Sequence, residues 1–186
     1  MPPDRPLPPW PATPPAVDGV VLRAFTPDDL PMALDLATDP YVTLVGSLPS
    51  HATEEQALDW IRRNRGRWAD GVGFSFAVAE AATGRAVGQL GLWLADLAEG
   101  RGQIGYFVMP SARGRGFAAA ALKAATAFAW TIPRLQRVEL HIEPWNGASL
   151  RTAERAGYTR EGLLRAHREI AGQRRDVVLY AAVRPG

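Results

Sequence analysis

The sequence predicts a single α/β domain of the α+β kind, with a central, mixed but mostly antiparallel twisted sheet of about six to seven strands flanked by about four helices. Three observations predict it. The 186 residues fit one ordinary domain and are long enough to bury a core. Apolar residues make up 47% and charged residues 22%, a globular balance rather than a disordered or fibrous one. The periodic segments run as early helices, a β-hairpin, then strand–helix–strand–helix, without an internal repeat.

Eight prolines lie between Pro2 and Pro15. Proline fixes φ and removes an amide donor, so residues 1–17 are expected to form an extended or disordered tail, with the domain spanning 18–186. Val20 to Phe25 alternates like a strand. Thr26-Pro27-Asp28-Asp29 is a helix start, with a Thr cap, proline at the first helical position and acids in the first turn. Thr53-Glu54-Glu55-Gln56 reads as a capping box leading a helix that carries Leu58, Trp60 and Ile61. Phe74 to Glu80 and Ala86 to Leu94 read as strands joined at Thr83-Gly84, and Gln103 to Met109 as a further strand. An Ala-rich helix begins near Phe117 and must end before Pro133; Val138 to Ile142 is a strand, and Ser149 to Ala156 a short helix stopped by Gly157. Strands near Thr159 to Leu164 and Asp176 to Val183 close the domain.

Composition excludes several function classes. With no cysteine, the chain has no disulfide, thiolate nucleophile or thiolate metal site, a composition that suits a reducing, cytoplasmic setting. Its three histidines, His51, His141 and His167, are too scattered to predict a metal site. A formal net charge of +2 makes no electrostatic case for nucleic acid. The N-terminus lacks the apolar stretch of a secretory signal, and no segment approaches the ~20 apolar residues of a membrane helix. Neither a nucleic-acid nor a membrane partner is expected.

The chemistry-bearing motif is the turn Arg113-Gly114-Arg115-Gly116-Phe117-Ala118, placed between a strand and a helix. A helix start leaves amide donors unpaired and carries partial positive charge. Glycines let those amides approach an anion with no Cβ in the way, and the two arginines add charge, so the turn has the makings of a pyrophosphate cradle. It lacks the Gly-Lys-Ser/Thr of a P-loop. Gly114-Arg115-Gly116-Phe117-Ala118-Ala119 does satisfy the dinucleotide fingerprint literally, with Glu139 near the ribose-acid position. Its mid-chain place after several strands, and the shortness of the chain, oppose that reading.

Here the residues resemble the GNAT N-acetyltransferases. The turn is similar to their Gln/Arg-x-x-Gly-x-Gly/Ala motif, which grips the pyrophosphate of acetyl-CoA. Ile104-Gly105-Tyr106-Phe107-Val108-Met109-Pro110 resembles the family's fourth strand. That likeness implies a sheet splayed between its fourth and fifth strands, and Val108 as the main backbone contact of the pantetheine arm. Downstream, Asn146-Gly147-Ala148-Ser149 and Glu154-Arg155-Ala156-Gly157-Tyr158 resemble the Asn-x-x-Ser…Glu-x-x-Gly-Phe/Tyr signature of the RimJ/RimL-like branch, which acetylates ribosomal-protein N-termini. The resemblance covers Asp18 to Val183. It implies Arg113, Gly114, Arg115, Gly116, Phe117, Ala118, Asn146 and Ser149 as acetyl-CoA contacts. It also implies direct transfer to an amine, with strand amides polarising the thioester carbonyl, and no metal.

The family's usual acid and base are replaced. Gln103 stands where many relatives carry a glutamate base, and Ala153 where many carry a tyrosine acid. Ser149 is then the expected proton donor, directly or through water. Substitute bases come from the fifth strand, where Glu139, His141 and Glu143 share one face by period-two alternation; His141 has the intrinsic pKa for the task, with Glu139 as the other candidate. A lysine amine is neutral only about once in 2,500 molecules at pH 7, an α-amine about one time in ten, so a weak base suits an N-terminal acceptor. The resemblance leaves open a peptide or protein N-terminus, a small amine such as an aminoglycoside or polyamine, and a catalytically idle acyl-CoA-binding domain. A donor such as succinyl-CoA, and the choice between monomer and homodimer, also stay open. Trp93 and Trp145 are the tryptophans expected to wall an acceptor pocket, and Trp60 is expected in the core.

Overall fold

A computed structural model describes residues 7–186. Its sheet holds eight strands: β1 (Ala16–Val17), β2 (Val20–Arg23), β3 (Gly73–Glu80), β4 (Ala86–Trp93), β5 (Arg101–Val108), β6 (Arg137–Ile142), β7 (Thr159–Ile170) and β8 (Gln173–Val183). Their order is β1-β2-β3-β4-β5-β6-β8-β7. All neighbours are antiparallel except β5 and β6, which run parallel. Five helices flank it: α1 (Leu30–Leu36), α2 (Pro40–Val45), α3 (Glu54–Gly66), α4 (Phe117–Ala129) and α5 (Gly147–Arg155). The expected mixed, mostly antiparallel sheet is there, with one more strand and one more helix than anticipated.

The two helix-start signals work through different atoms. Asp29 accepts from the Thr26 amide at 2.9 Å and pairs with Arg23 at 2.7 Å, nailing the start of α1 to β2. At α3 the capping box closes reciprocally, the Thr53 amide donating to Gln56 Oε1 at 2.9 Å and the Gln56 amide to Thr53 Oγ1 at 3.3 Å. The Ala-rich face of α4 brings Ala121, Leu122, Ala124 and Ala125 close to the sheet, where all are buried. Trp60 is core, packed edge-on against Phe25.

Three expectations need correction. The segment 7–17 is docked, not a detached tail. Trp10 lies 4.8 Å from Phe76 between ring centroids, Trp68 donates to the Pro8 carbonyl at 2.9 Å, and Ala16–Val17 add a strand to the edge. Proline cannot donate to a ladder, but it does not prevent an aromatic from anchoring the chain. Residues 1–6 lie outside the described residues. The helix α2 was not expected, although Asp39-Pro40 is a cap followed by proline; Asp39 Oδ1 accepts from the Tyr41 and Val42 amides at 2.7 and 3.1 Å. The last two strands form a longer hairpin than expected. Its outer part is polar on both faces, so no apolar alternation marks it.

Candidate active site

The site begins where β5 and β6 part. They pair in parallel only from Arg101↔Arg137 to Gln103↔Glu139, then diverge. On the other edge β5 stays paired with β4. There the Met109 amide donates to the Val87 carbonyl at 2.9 Å, so by antiparallel alternation Val108 and Tyr106 turn their own amides away from β4, into the gap. A cleft of about 970 Å³ opens there and reaches both faces of the sheet.

One end of the cleft is built from backbone. Gly116 caps α4 in the left-handed conformation with φ 84°, and Gly114 has φ 78°, a region that favours glycine. Nothing lies within 4 Å of a Cβ built on either. The first intrahelical bond of α4 is donated by Ala120 to the Gly116 carbonyl, which leaves the Phe117, Ala118 and Ala119 amides free at the cleft wall. The arginine heads of the turn are turned to carboxylates. Arg113 donates to Asp39 Oδ2 at 2.5 Å and to the Val108 carbonyl at 3.1 Å; Arg115 pairs with Glu80 at 2.8 Å and lies 4.7 Å from the Phe117 ring centroid. Both heads are about half exposed, so these pairs are weak and open to exchange. Burial works to raise the Asp39 carboxyl, but Arg113 and the two α2 amides outweigh it and hold it below the usual range.

The α4 face of the gap carries Asn146 and Ser149. Asn146 caps α5, its Oδ1 accepting from the Ser149 amide at 3.1 Å, and both line the cleft. Tyr106 reaches this same face. Its buried hydroxyl has no hydrogen bond of good geometry, although Ser149 and Thr152 lie near it. Burial pushes the phenol up, with those two hydroxyls opposing. Tyr106 sat within the motif strand, but no sequence signal distinguished its hydroxyl from that of a core tyrosine.

The opposite face is set by register. Trp93 pairs with Gln103 and Gly91 with Gly105, while Gln103 pairs with Glu139, so Trp93, Gln103, Gly105, Glu139 and His141 share one face. His141 is 14% exposed by side chain, meets His167 edge-on at 5.0 Å, and has Nε2 3.4 Å from Glu139 Oε2. Burial, then the His167 ring, lower its pKa from the ordinary value, and Glu139 only partly compensates. Glu139 itself is held by Arg137 at 2.8 Å, which also grips Glu161 at 2.6 Å. Glu143, the third residue of the alternation, is buried and sits beside Tyr41; burial and that carboxylate push the Tyr41 phenol up.

The rest of this face comes from distant segments. The Trp93 ring folds back over two glycines, so that a Cβ on Gly91 would fall 2.4 Å from it and one on Gly105 3.1 Å. A buried polar relay lies behind it: Ser75 donates to Asn64 at 2.9 Å, Gln89 approaches Ser75 at 3.4 Å, and Asn64 donates to the Trp60 carbonyl at 2.9 Å. Arg67, Arg168 and Trp145 complete the lining, Trp145 meeting Tyr41 edge-on at 4.8 Å. No group of three or more acids, histidines or cysteines placed to hold a metal occurs among the described residues, and no helix among them is long and apolar enough to cross a membrane.

A helix start open to an anion, followed by strand amides facing a gap that runs through the sheet, fits a ligand with a pyrophosphate and a long amide-bearing arm. That is the outline of an acyl-CoA, and the protein is in this sense an acyl-CoA-dependent transferase. The chain belongs to the acetyltransferase (GNAT) domain family, which it matches over residues 20–159. It is similar to the uncharacterised N-acetyltransferase p20 of Bacillus licheniformis, 26% identical over 165 residues, covering 89% of this chain and 93% of that protein. It is also similar to the solved structure of Mycobacterium smegmatis RimJ in complex with CoA-disulfide, with TM-score 0.74 and 26% identity over 92% of this chain and 86% of that one. The fold is shared by spermidine N-acetyltransferase of Vibrio cholerae in complex with CoA and spermine, with TM-score 0.69 and 20% identity over 89% and 95% of the two chains. The protein is thus an N-acetyltransferase with acetyl-CoA as donor. The ribosomal L7/L12 α-N-protein acetyltransferase RimL (TM-score 0.74, 20% identity) and a spermidine enzyme share its fold, so the fold alone does not choose the acceptor.

Proposed function

We propose that this enzyme moves the acetyl group directly onto the α-amine of a peptide or protein N-terminus. His141 takes the amine proton on one face of the sheet, and Ser149 serves the leaving sulfur on the other. The observation that carries this reading is the division of the cleft: His141 lies on the Trp93 face, while Ser149 and Asn146 lie beyond the β5–β6 gap. Acetyl-CoA supplies an acetyl group activated as a thioester.

In this reading the free Phe117, Ala118 and Ala119 amides, with Gly114 and Gly116, receive the pyrophosphate, and Arg113 and Arg115 exchange their carboxylates for it. The Val108 and Tyr106 amides face the arm and the carbonyl, where preorganised donors stabilise developing negative charge. His141 is suited to act as base because its lowered pKa keeps it neutral at neutral pH. Glu139, tied to Arg137 and 3.4 Å from a His141 Nε2 that makes no hydrogen bond, supplies negative charge beside the ring rather than taking the proton itself. Ser149 returns a proton towards the sulfur, with Tyr106 behind it.

The lining charges favour this acceptor over a polycation. A polyamine or aminoglycoside calls for several carboxylates, but among the described residues the cleft is lined by one, Asp39, beside Arg113 at the cofactor turn. The test is release of CoA thiol from acetyl-CoA with peptides bearing free N-termini, N-blocked lysine peptides, polyamines and aminoglycosides. Turnover concentrated in the first group is expected; turnover concentrated in polyamines would overturn the reading.

A further inference from the structure

We infer that Arg67 marks a subsite for an anionic group on the acceptor, so that the enzyme prefers an amine whose neighbouring residues carry a carboxylate. This rests on the reading that the Trp93 face receives the acceptor.

Arg67 closes α3 and projects into the cleft. Its guanidinium lies 6.0 Å from the Trp93 ring centroid. It makes no ion pair and no side-chain hydrogen bond among the described residues, unlike Arg63 one turn earlier, which pairs with Asp59. A half-buried guanidinium with all its donors unused is an uncommon arrangement, because desolvating the charge is costly unless an anion meets it. A cation on the Trp93 ring face recovers only part of that cost.

The surroundings agree in sign. Arg168, from β7, carries its charge to Tyr41 and His141 and lines the same cleft. The lining carboxylate, Asp39, lies beside Arg113 of the cofactor turn and makes no ion pair with Arg67. The backbone that carries Arg67 is anchored. Arg67 donates its amide to Asn64, and Asn64 is locked by Ser75 and Trp60.

Position then selects the kind of acceptor. The Trp93 ring bridges Gly105, at the floor of the gap, and Arg67. This puts the guanidinium beyond the indole ring from the strand, 6.0 Å from the ring centroid, a gap that the next residues of an extended acceptor span at about 3.3–3.6 Å each. A carboxylate on the second or third residue of a peptide matches that reach. An arginine fork also favours a planar carboxylate geometrically.

The test compares peptides differing only by Glu or Gln at positions two and three, with wild type, Arg67→Gln and Arg67→Lys. Wild type is expected to favour the Glu peptide by about tenfold in kcat/KM. Arg67→Gln should bring the ratio near one, and Arg67→Lys should restore part of it. Calorimetric binding of the same peptides with CoA present gives the same comparison without turnover, so a mistaken catalytic assignment and a mistaken subsite fail separately. Acetyl-CoA binding by each variant reports that it is folded. Free glutamate and phosphoethanolamine serve as small acceptors: preference for them over the Glu peptide would assign the subsite's anion to a small molecule. Equal use of Glu and Gln peptides by wild type, or an equal fall for both in Arg67→Gln, would overturn the inference.

Discussion

The two faces of the cleft are built from different materials. The α4 face offers mainly backbone, with glycines in the left-handed region, unpaired helix amides and strand amides turned into a gap, beside the Asn146, Ser149 and Tyr106 side chains. The Trp93 face offers side chains, from α2, α3, β4, β6 and β7. Backbone groups cannot be substituted individually, so the first face suits a ligand that is the same in every turnover. The second can change residue by residue, which suits the acceptor site proposed there.

This contrast predicts how each face breaks. The largest effect is expected from Gly116→Val. A β-branched residue at φ 84° is strained and places its methyl groups in the cradle, so acetyl-CoA affinity should fall by about 100-fold or more. Calorimetry would measure this, with far-UV circular dichroism to confirm that the domain is folded. His141→Gln should lower kcat/KM by about 100-fold at neutral pH, within the range of lost general-base catalysis, with little change in acetyl-CoA binding.

The pH profile sharpens that second prediction. The base form of His141 is the neutral one, and its pKa is lowered from 6.5 by burial and by His167, with Arg168 acting in the same direction and Glu139 against it. Wild-type kcat/KM should therefore show an acid limb below pH 6.5, besides the limb of the acceptor amine near 7.7–8.0. The lower limb should vanish in the variant. An unchanged profile would remove His141 from the reaction.

The face proposed to hold the cofactor was legible in the sequence for a physical reason. A glycine-rich turn between a strand and a helix is a local device, and Arg113 to Ala118 lie consecutively. Asn146 and Ser149 are likewise one helical turn apart. The face proposed for the acceptor was legible only in part. His141 and Glu139 emerged from strand alternation, but Arg67 looked like one more arginine in a basic helix end, and its isolation depends on what α3 packs against. Trp93 gave a hint, yet the glycines that seat its ring, Gly91 and Gly105, belong to different strands. The same limit hid the docking of Trp10, since a proline-rich composition says nothing of what one tryptophan can reach.

Smaller effects probe the seam between the faces. Ser149→Ala should lower kcat by about tenfold, more than it raises the KM for acetyl-CoA, if the hydroxyl serves the leaving group; steady-state kinetics separates the two. Asp39→Asn keeps the α2 cap but frees Arg113 from its carboxylate. Because an exposed ion pair contributes about 0–1 kcal/mol, acetyl-CoA should bind up to about fivefold more tightly, with a steeper dependence on salt.

The most direct test of the account is product mapping. The purified protein and acetyl-CoA would be given a peptide carrying both a free N-terminus and an internal lysine, and the product fragmented by mass spectrometry. Acetyl on the α-amine, absent from the lysine, is the predicted result. Acetyl on the lysine instead, or a peptide left unmodified while polyamines turn over, would contradict it.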